Sequence, residues 1–240
     1  MIACLLLGRE NSQRFPNKHF FKLFGRALME YPILAAKNSK YINHIFISTD
    51  SKEISKIAQN YNINLIERPI ELATSTALVE NVVNHAYKAI KQQLPDLDIL
   101  VVLFCNVGTI VSDTIDKGIE LLKNNSFANS VATVANIGKY SPYRAKKIND
   151  LGFLASFIEK TSANLDSSLP CYFYDCCLWI TKKNNIELMD GYPRFSWLGK
   201  NVIPLLHEGG LDVNTSYDMI LTECWLKYNN FSDDKTPYDK

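Results

Sequence analysis

The stretch that most constrains the fold is Ile99-Leu-Val-Val-Leu-Phe104, six consecutive apolar residues. A strand that is apolar on both faces is typical of the middle of a parallel sheet, because helices cover both faces of such a sheet. Parallel neighbours also need long crossover connections, which are usually helical. The run therefore predicts an α/β protein whose sheet is built around residues 99–104.

Strand-like and helix-like segments alternate along the chain up to about residue 135. The helices are predicted from apolar residues at helical spacing, and the strands from short apolar runs. Predicted strands cover 2–7, 44–50, 64–67, 99–104 and 130–135, and predicted helices cover 32–39, 51–61, 78–92 and 113–124, the last one capped by Ser112. This alternation indicates βαβ units and a doubly wound, mostly parallel sheet of the Rossmann-like kind.

The pattern changes in the C-terminal half. The predicted elements there are strands at 145–148, 153–158 and 172–180, a closing helix at 216–228 and a loose tail at 231–240. We interpret 140–185 as an antiparallel excursion that forms a substrate wall or a dimer contact, with simple extension of the sheet as the alternative. The whole chain, 1–240, is interpreted as one domain, for which its length suffices.

A polar, basic loop follows the first predicted strand. The strand ends at Gly8, and the loop after it contains Arg9, Arg14 and Lys18. Glycine lets a backbone approach a ligand closely, and fixed cations neutralise phosphate charge. Ligands of doubly wound folds bind at the carboxyl ends of the strands, where this loop is expected. The loop thus suits a polyphosphate, although a buried edge strand followed by a solvated loop is the plainer interpretation.

Composition excludes several classes of protein. The formal net charge is +1, so nothing indicates a general binder of nucleic acid or of anionic membranes. No apolar run approaches the roughly 20 residues that span a bilayer. The start of the chain lacks the basic segment of a signal peptide, and the six cysteines show no C-x-x-C spacing. We therefore expect a cytoplasmic protein with reduced cysteines and no zinc site.

Four blocks of the sequence resemble the cytidylyltransferases that activate acidic sugars. These are the CMP-N-acylneuraminate synthetases and, more distantly, the CMP-Kdo synthetases. The blocks are Gly8-Arg9-Glu-Asn11-Ser12-Gln-Arg14-Phe-Pro16-Asn-Lys18, Ile45-Phe-Ile-Ser48-Thr49-Asp50, Arg68-Pro69-Ile-Glu71-Leu72-Ala73-Thr-Ser-Thr76-Ala77, and Leu211-Asp212-Val-Asn214-Thr215-Ser-Tyr-Asp218. The third block matches the family pattern R-P-x-E-L-A-x-D-T-A closely and is the most specific of the four.

The resemblance implies a reaction and a set of site residues. An acidic sugar attacks the α-phosphorus of CTP, which gives a CMP-sugar and pyrophosphate with Mg²⁺ as cofactor. Arg9 and Lys18 match positions that hold the triphosphate, and Asp212 matches a magnesium-binding carboxylate. Further expected substrate-binding residues are Asn11, Ser12, Arg68 and Ala77 from the matching blocks, Gly8 and Arg14 from the basic loop, and Asn106 because it ends the central strand. Asn214 is expected as a second, neutral metal ligand. A homodimer through 140–185 is also implied.

The chain departs from the family pattern at several positions. Gln13 stands where the family usually has Lys, His19 where it has Asn, and Asn214 where it has a second Asp. Residues 104–110 replace the usual Q-P-T-S-P-L-R block, which contacts the sugar. These departures leave open a GTP- or UTP-dependent sugar-1-phosphate nucleotidyltransferase, or an inactive paralogue that binds nucleotide.

Each expected site residue also has a plainer interpretation. Asp212 follows two glycines and could cap the closing helix instead of binding metal. Arg68 could only brace a loop, and Asn106 could only satisfy loop backbone. We interpret the histidines, His19 among them, as structural or solvent-facing.

Overall fold

A computed structural model describes residues 1–10, 14–136, 141–158 and 170–239. The strands are β1 (Ile2–Leu7), β2 (Lys22–Leu23), β3 (Arg26–Ala27), β4 (His44–Thr49), β5 (Asn64–Glu67), β6 (Ile99–Phe104), β7 (Ser130–Asn136), β8 (Lys146–Ile148), β9 (Leu154–Ser156), β10 (Tyr172–Lys182) and β11 (Val202–Leu206). The helices are α1 (Glu30–Lys37), α2 (Lys52–Asn60), α3 (Val79–Gln93), α4 (Ser112–Lys123), α5 (Lys183–Leu188) and α6 (Ser216–Tyr228).

Seven of these strands form one sheet in the order β11-β7-β10-β6-β1-β4-β5. β6, β1, β4 and β5 pair in parallel, as do β7 and β11, whereas β10 runs antiparallel to both of its neighbours. The predicted mostly parallel sheet with an antiparallel part is therefore confirmed. The apolar run at 99–104 lies inside the sheet, as its pattern predicts.

Helices cover both faces of the sheet. On one face, Ile33 of α1, Ile54 of α2 and Ile119 of α4 pack into one core cluster. On the other face, Val83 of α3 and Ile186 of α5 belong to a second cluster. Each fully buried side chain of this kind contributes about 1.5–3 kcal/mol, so the two clusters hold the carboxyl ends of the strands in fixed positions. No helix in the described ranges is long and apolar enough to cross a membrane.

The antiparallel excursion is smaller than the predicted range 140–185. The hairpin of β8 and β9 forms a sheet of its own, but β10 lies inside the main sheet between β6 and β7. Residues 177–181 of β10 are buried, so this half of the strand needs a partner on each side. For β10 the alternative of sheet extension therefore holds, while residues 140 and 159–169 lie outside the described residues.

The predicted loose tail and the predicted cap of α4 are wrong, for a shared reason. Phe231 is only 2% exposed and packs against Tyr31 in a third apolar cluster. Farther along the tail, the Tyr238 hydroxyl accepts a hydrogen bond from the backbone N–H of Ser112 at 3.2 Å. Ser112 is the first residue of α4 rather than its cap, which is Val111. The tail thus satisfies one of the backbone N–H groups that the first turn of α4 leaves without a helical partner.

Candidate active site

A cavity of about 390 Å³ opens at the carboxyl edge of the parallel strands. The end of β1, the end of β6, the segment after β5 and the loop before α6 all contribute to its wall. Its polar lining includes Arg9, Arg14, Lys18, His19, Arg68, Asn106, Asp212 and Asn214, and its apolar lining includes Leu72, Val79, Val82 and Phe104. A cavity with one basic wall and one apolar wall suits a ligand that carries both phosphate and a ring.

Gly8 is required by close packing at the end of β1. A Cβ atom at this position would lie 3.0 Å from Cys105 Sγ and 3.0 Å from Ile54 Cδ1. Both neighbours are buried, so they have little room to move. The absence of a side chain lets the backbone of the basic loop leave β1 directly at the cavity.

Lys18 links the first block of the sequence to the last. Its Nζ donates to the backbone oxygen of Val213 at 2.5 Å and to Asn214 Oδ1 at 3.3 Å. The same atom lies 3.9 Å from Asp212 Oδ1. Burial lowers the pKa of Lys18, and the Asp212 carboxylate opposes that shift. The Lys18 ammonium is thus held at the cavity wall, and the Asp212 carboxylate offsets only part of the effect of burial on its pKa.

Arg68 has the bracing role that its sequence context allows, and it also lines the cavity. Its Nε donates to Ser48 Oγ at 3.2 Å, and its NH2 group donates to the backbone oxygen of Ser48 at 2.6 Å. Burial lowers the pKa of Arg68, with Asp50 opposing the shift. Arg68 thereby ties the end of β4 to the third block while keeping a cation beside the ligand space.

Asp212 presents its carboxylate to the cavity beside Lys18. Its side chain is 43% exposed. Asn106 Nδ2 donates to its Oδ1, and Asn214 Nδ2 donates to its Oδ2 at 2.9 Å. Thr215, not Asp212, caps α6, in a reciprocal capping box with Asp218. The capping interpretation of Asp212 is therefore excluded.

The structure brings together most of the residues that the sequence predicts for the site. Gly8, Arg9, Arg14, Lys18, Arg68, Ala77, Asn106, Asp212 and Asn214 all line the cavity. Asn11 and Ser12 lie outside the described residues. The described part of the chain holds no group of three or more His, Cys, Asp or Glu side chains that could bind a metal by itself. A metal at this site would be coordinated jointly by Asp212, by amide oxygens and by the bound substrate.

His19 is a titratable residue of the cavity lining that the sequence analysis did not assign to the site. It is 4% exposed, and its Nδ1 has no hydrogen-bond partner among the residues that the structure describes. Burial is the main cause that lowers the pKa of His19 to about 4, so the imidazole is neutral at pH 7. The available signal was the position of His19 directly after Lys18, because both residues lie in the same short helical turn, Lys18–Phe20.

Comparison with known proteins gives one family. The family described as "Cytidylyltransferase" matches residues 3–152. The chain is 32% identical over 186 residues to a Helicobacter pylori protein named "Pseudaminic acid cytidylyltransferase and UDP-2,4-diacetamido-2,4,6-trideoxy-beta-L-altropyranose hydrolase". The match covers 77% of this chain but only 35% of that longer protein.

Two further proteins match along almost the whole chain. A Campylobacter coli protein named "Post-translational flagellin modification protein B" is 28% identical over 237 residues, which cover 95% of this chain and 96% of that protein. The solved structure of a CMP:2-keto-3-deoxy-manno-octonic acid synthetase complexed with CTP superposes with a TM-score of 0.69 at 10% identity, covering 95% of this chain and 98% of the other. At that identity the superposition shows the fold alone.

Proposed function

This chain belongs to the cytidylyltransferase family, and we propose that it transfers CMP from CTP to a nonulosonic acid for surface-glycan synthesis. The resemblance found in the sequence, and the enzyme class with it, is confirmed by the family match. The observation that carries the proposal is the contact between Lys18 and the segment 213–214, because it unites the first and last blocks, 195 residues apart, at one cavity.

The basic wall suits the triphosphate. Arg9, Arg14 and Lys18 come from one loop and line the same cavity, which Arg68 enters from the other side. Nucleotidyl transfer depends on in-line positioning and on neutralisation of charge more than on covalent help from the protein. We assign these side chains to the phosphates, where they stabilise the charge that grows on the leaving pyrophosphate.

The apolar wall suits the ring portion of the substrates. Val79 and Val82 project from the first turns of α3, and Phe104 ends the central strand. Ala77, just before α3, is small enough to leave its backbone accessible to the cytosine. We place the anomeric hydroxyl of the sugar so that its oxygen bonds to the α-phosphorus as the bond to pyrophosphate breaks. The products are the CMP-sugar, pyrophosphate and one proton.

The donor set of the site fits Mg²⁺. Magnesium takes one or two carboxylates, fills its other positions with phosphate oxygens and water, and does not need a cage of protein ligands. The half-exposed carboxylate of Asp212 matches that requirement, and Asn214 Oδ1, which accepts from Lys18 at 3.3 Å in this structure, is the neutral oxygen beside it. Bound there, Mg²⁺ would neutralise phosphate charge. Asn106 and Lys18 hold the Asp212 carboxylate at the cavity, where we assign the phosphates.

We also propose that two copies associate through the β8–β9 hairpin. The hairpin exposes five large apolar side chains, and a cluster of exposed apolar side chains marks an interaction surface. These are Ile148, Leu151, Phe153, Leu154 and Phe157. Light scattering should give twice the mass of the chain, and the double substitution Phe153→Ser with Leu154→Ser should give the mass of one chain. A single-chain mass for the unchanged protein would refute the dimer.

Pyrophosphate release tests the proposed reaction directly. The purified chain is incubated with Mg²⁺ and CTP, GTP or UTP, each against nonulosonic acids, including pseudaminic and N-acylneuraminic acid, and against hexosamine 1-phosphates. We expect turnover with CTP and a nonulosonic acid only. Turnover with GTP or UTP would favour the alternative that Asn214 raises, and nucleotide binding without any turnover would indicate an inactive paralogue.

A pair of lysine variants makes the same assay specific to the site. Lys18→Met removes a cation from the cavity, and we expect it to lower kcat/KM for CTP by about 10²–10³, as loss of one charge-stabilising donor does. Lys22→Met removes an exposed cation four residues later, outside the cavity. We expect it to leave kcat/KM unchanged.

A further inference from the structure

A buried carboxylate lies in β10, outside the cavity. The register of β10 against β7 shifts between Tyr174 and Trp179, which makes a bulge in the strand. Asp175 lies in this bulge, with a side chain only 1% exposed. Its Oδ1 accepts hydrogen bonds from the backbone N–H of Cys177 at 3.0 Å and from Thr133 Oγ1. Asp175 thus holds the shape of the bulge through one of its two oxygens.

The other oxygen of Asp175 reaches a different element. His207 Nδ1 donates to Asp175 Oδ2 at 2.8 Å, and both side chains are buried. The backbone N–H of His207 donates to the Val134 carbonyl at 3.1 Å, at the end of β11. A hydrogen bond to a buried carboxylate is shorter and stronger than one between neutral groups. The pair therefore joins the bulge of β10 to the first residue of the loop that leads to α6.

That loop is packed tightly against the same pair. A Cβ atom at Gly210 would collide with the Asp175 side chain, and one at Gly209 would collide with the indole of Trp225. Trp225 Nε1 donates to the Glu208 carbonyl at 2.7 Å. The loop therefore follows a single path from His207 to Leu211.

The fixed path ends at Asp212. The backbone N–H of Leu211 donates to Thr109 Oγ1 at 3.2 Å, and that of Val213 donates to the Asn106 carbonyl at 3.1 Å. The carboxylate between these two anchors is the one that faces the cavity. Its position also depends on the backbone around it, because the side chain is half exposed and its partners among the described residues are two side-chain amides and Lys18 at 3.9 Å.

We propose that Asp175 and His207 are positioning residues that fix the loop 208–213 and so hold Asp212 at the metal and phosphate position. The inference rests on the proposed function for the identity of the ligand that Asp212 binds. The contact of Asp175 and His207 with the loop, called the clamp below, does not depend on that function. Neither residue lines the cavity, so we expect each to act on Asp212 through the loop between them. Removing a group that is hydrogen-bonded directly to a metal ligand typically changes metal affinity about 10–100-fold, and we expect the lower end of that range for a pair that acts through the loop backbone.

The test compares two substitutions of His207. His207→Phe keeps a ring but removes the donor, whereas His207→Asn keeps an amide N–H at the position of Nδ1, from which it can reach Asp175. Hydrogen–deuterium exchange followed by mass spectrometry measures the loop, and Mn²⁺ binding in the presence of CTP, followed by electron paramagnetic resonance, measures the metal position. We expect His207→Phe to exchange residues 208–213 at least about tenfold faster and to bind Mn²⁺ about tenfold more weakly. His207→Asn should stay within about threefold of the unchanged protein.

A matched control separates positioning from general stability. Asp116 is also a buried carboxylate and accepts from Ser39 Oγ at 2.5 Å, but it lies in α4 and does not line the cavity. Asp116→Asn should lower the melting temperature without changing exchange at 208–213 or Mn²⁺ affinity. If His207→Phe behaves like Asp116→Asn in both measurements, the inference is wrong.

The same measurements remain informative if the proposed reaction fails. Exchange at 208–213 is measured without substrate, so it reports on the clamp even if the unchanged protein turns over no sugar. Should His207→Phe fail to fold, Asp175→Asn takes its place, because the amide keeps the shape of Asp175 while its bond to His207 weakens. Unchanged exchange in that variant would also overturn the inference.

Discussion

Replacing Asp212 with asparagine should strengthen the binding of metal-free CTP, although it should remove most of the turnover with magnesium. Lys18 Nζ lies 3.9 Å from Asp212 Oδ1. A phosphate oxygen that accepts a hydrogen bond from Lys18 lies about 3 Å from Nζ. That oxygen is therefore within about 7 Å of the carboxylate, and without a cation between them the two negative groups repel each other.

The size of the effect follows from this separation. At an effective dielectric constant of about 20, two unit charges about 7 Å apart repel by about 2 kcal/mol. The Asp212 side chain is 43% exposed, and solvent screening reduces the repulsion to about 1 kcal/mol. Asp212→Asn should thus lower the Kd for metal-free CTP about fivefold, since 1.4 kcal/mol corresponds to a factor of ten.

Isothermal titration calorimetry with CTP in the presence of EDTA measures this change. Asp190→Asn is the matched control, because Asp190 Oδ2 also lies 3.9 Å from a lysine, Lys200, but outside the cavity. The control should bind CTP like the unchanged protein. If Asp212→Asn binds metal-free CTP no more tightly than the unchanged protein, or if the control gains as much, the electrostatic reasoning is refuted.

Three further predictions concern stability and pH. Gly8→Ala should lower the free energy of unfolding by about 1–3 kcal/mol, measured by urea denaturation, because the new Cβ would press on Cys105. Thr215→Ala should cost about 1 kcal/mol through loss of the α6 cap, seen as a fall of about 2–4 °C in melting temperature; no change would contradict the capping role. The pKa of His19 falls from 6.5 when unfolded to about 4 when folded, so only the unfolded state gains the proton between these values. Stability should therefore fall by about 2 kcal/mol from pH 7 to pH 5, and His19→Asn should remove that part of the urea-denaturation difference.

Local sequence patterns predicted the elements that carry a clear apolar pattern of their own. The strands Ile2–Leu7, Asn64–Glu67 and Ile99–Phe104 and the helix Ser216–Tyr228 have the predicted bounds. Apolar periodicity could not reveal β2 and β3, which are two residues each and contain too few positions to show a pattern. The short helix α5 was missed because it follows β10 without a turn between them.

Features that depend on distant partners were beyond the sequence. Nothing near β10 says that it pairs with both β6 and β7, since strand partners are chosen by the whole sheet. Likewise the Tyr238 hydroxyl meets the N–H of Ser112 only because the tail folds back over α4. A polar tail gives no local sign of such a contact.

The candidate site also has a part that the sequence predicted and a part that it did not. The residues within the motif blocks were predicted because each block carries its own signature, and the parallel sheet brings the ends of its strands to one edge. The pairing of Asp175 with His207 was not predicted, because the two residues lie 32 positions apart and in no shared motif. A buried carboxylate reveals its partner only when the fold is known.

Both edges of the main sheet are poor templates for the addition of another strand. One edge is β11, where Pro204 has no N–H to offer, and the other is β5, which is only four residues long. Exposed strand edges start aggregation when they are long and have regular donors and acceptors, and proline and short length both interrupt that pattern. Concentrated solutions of this chain should therefore resist amyloid-like polymerisation, and contact between copies is left to side-chain surfaces instead of backbone ladders.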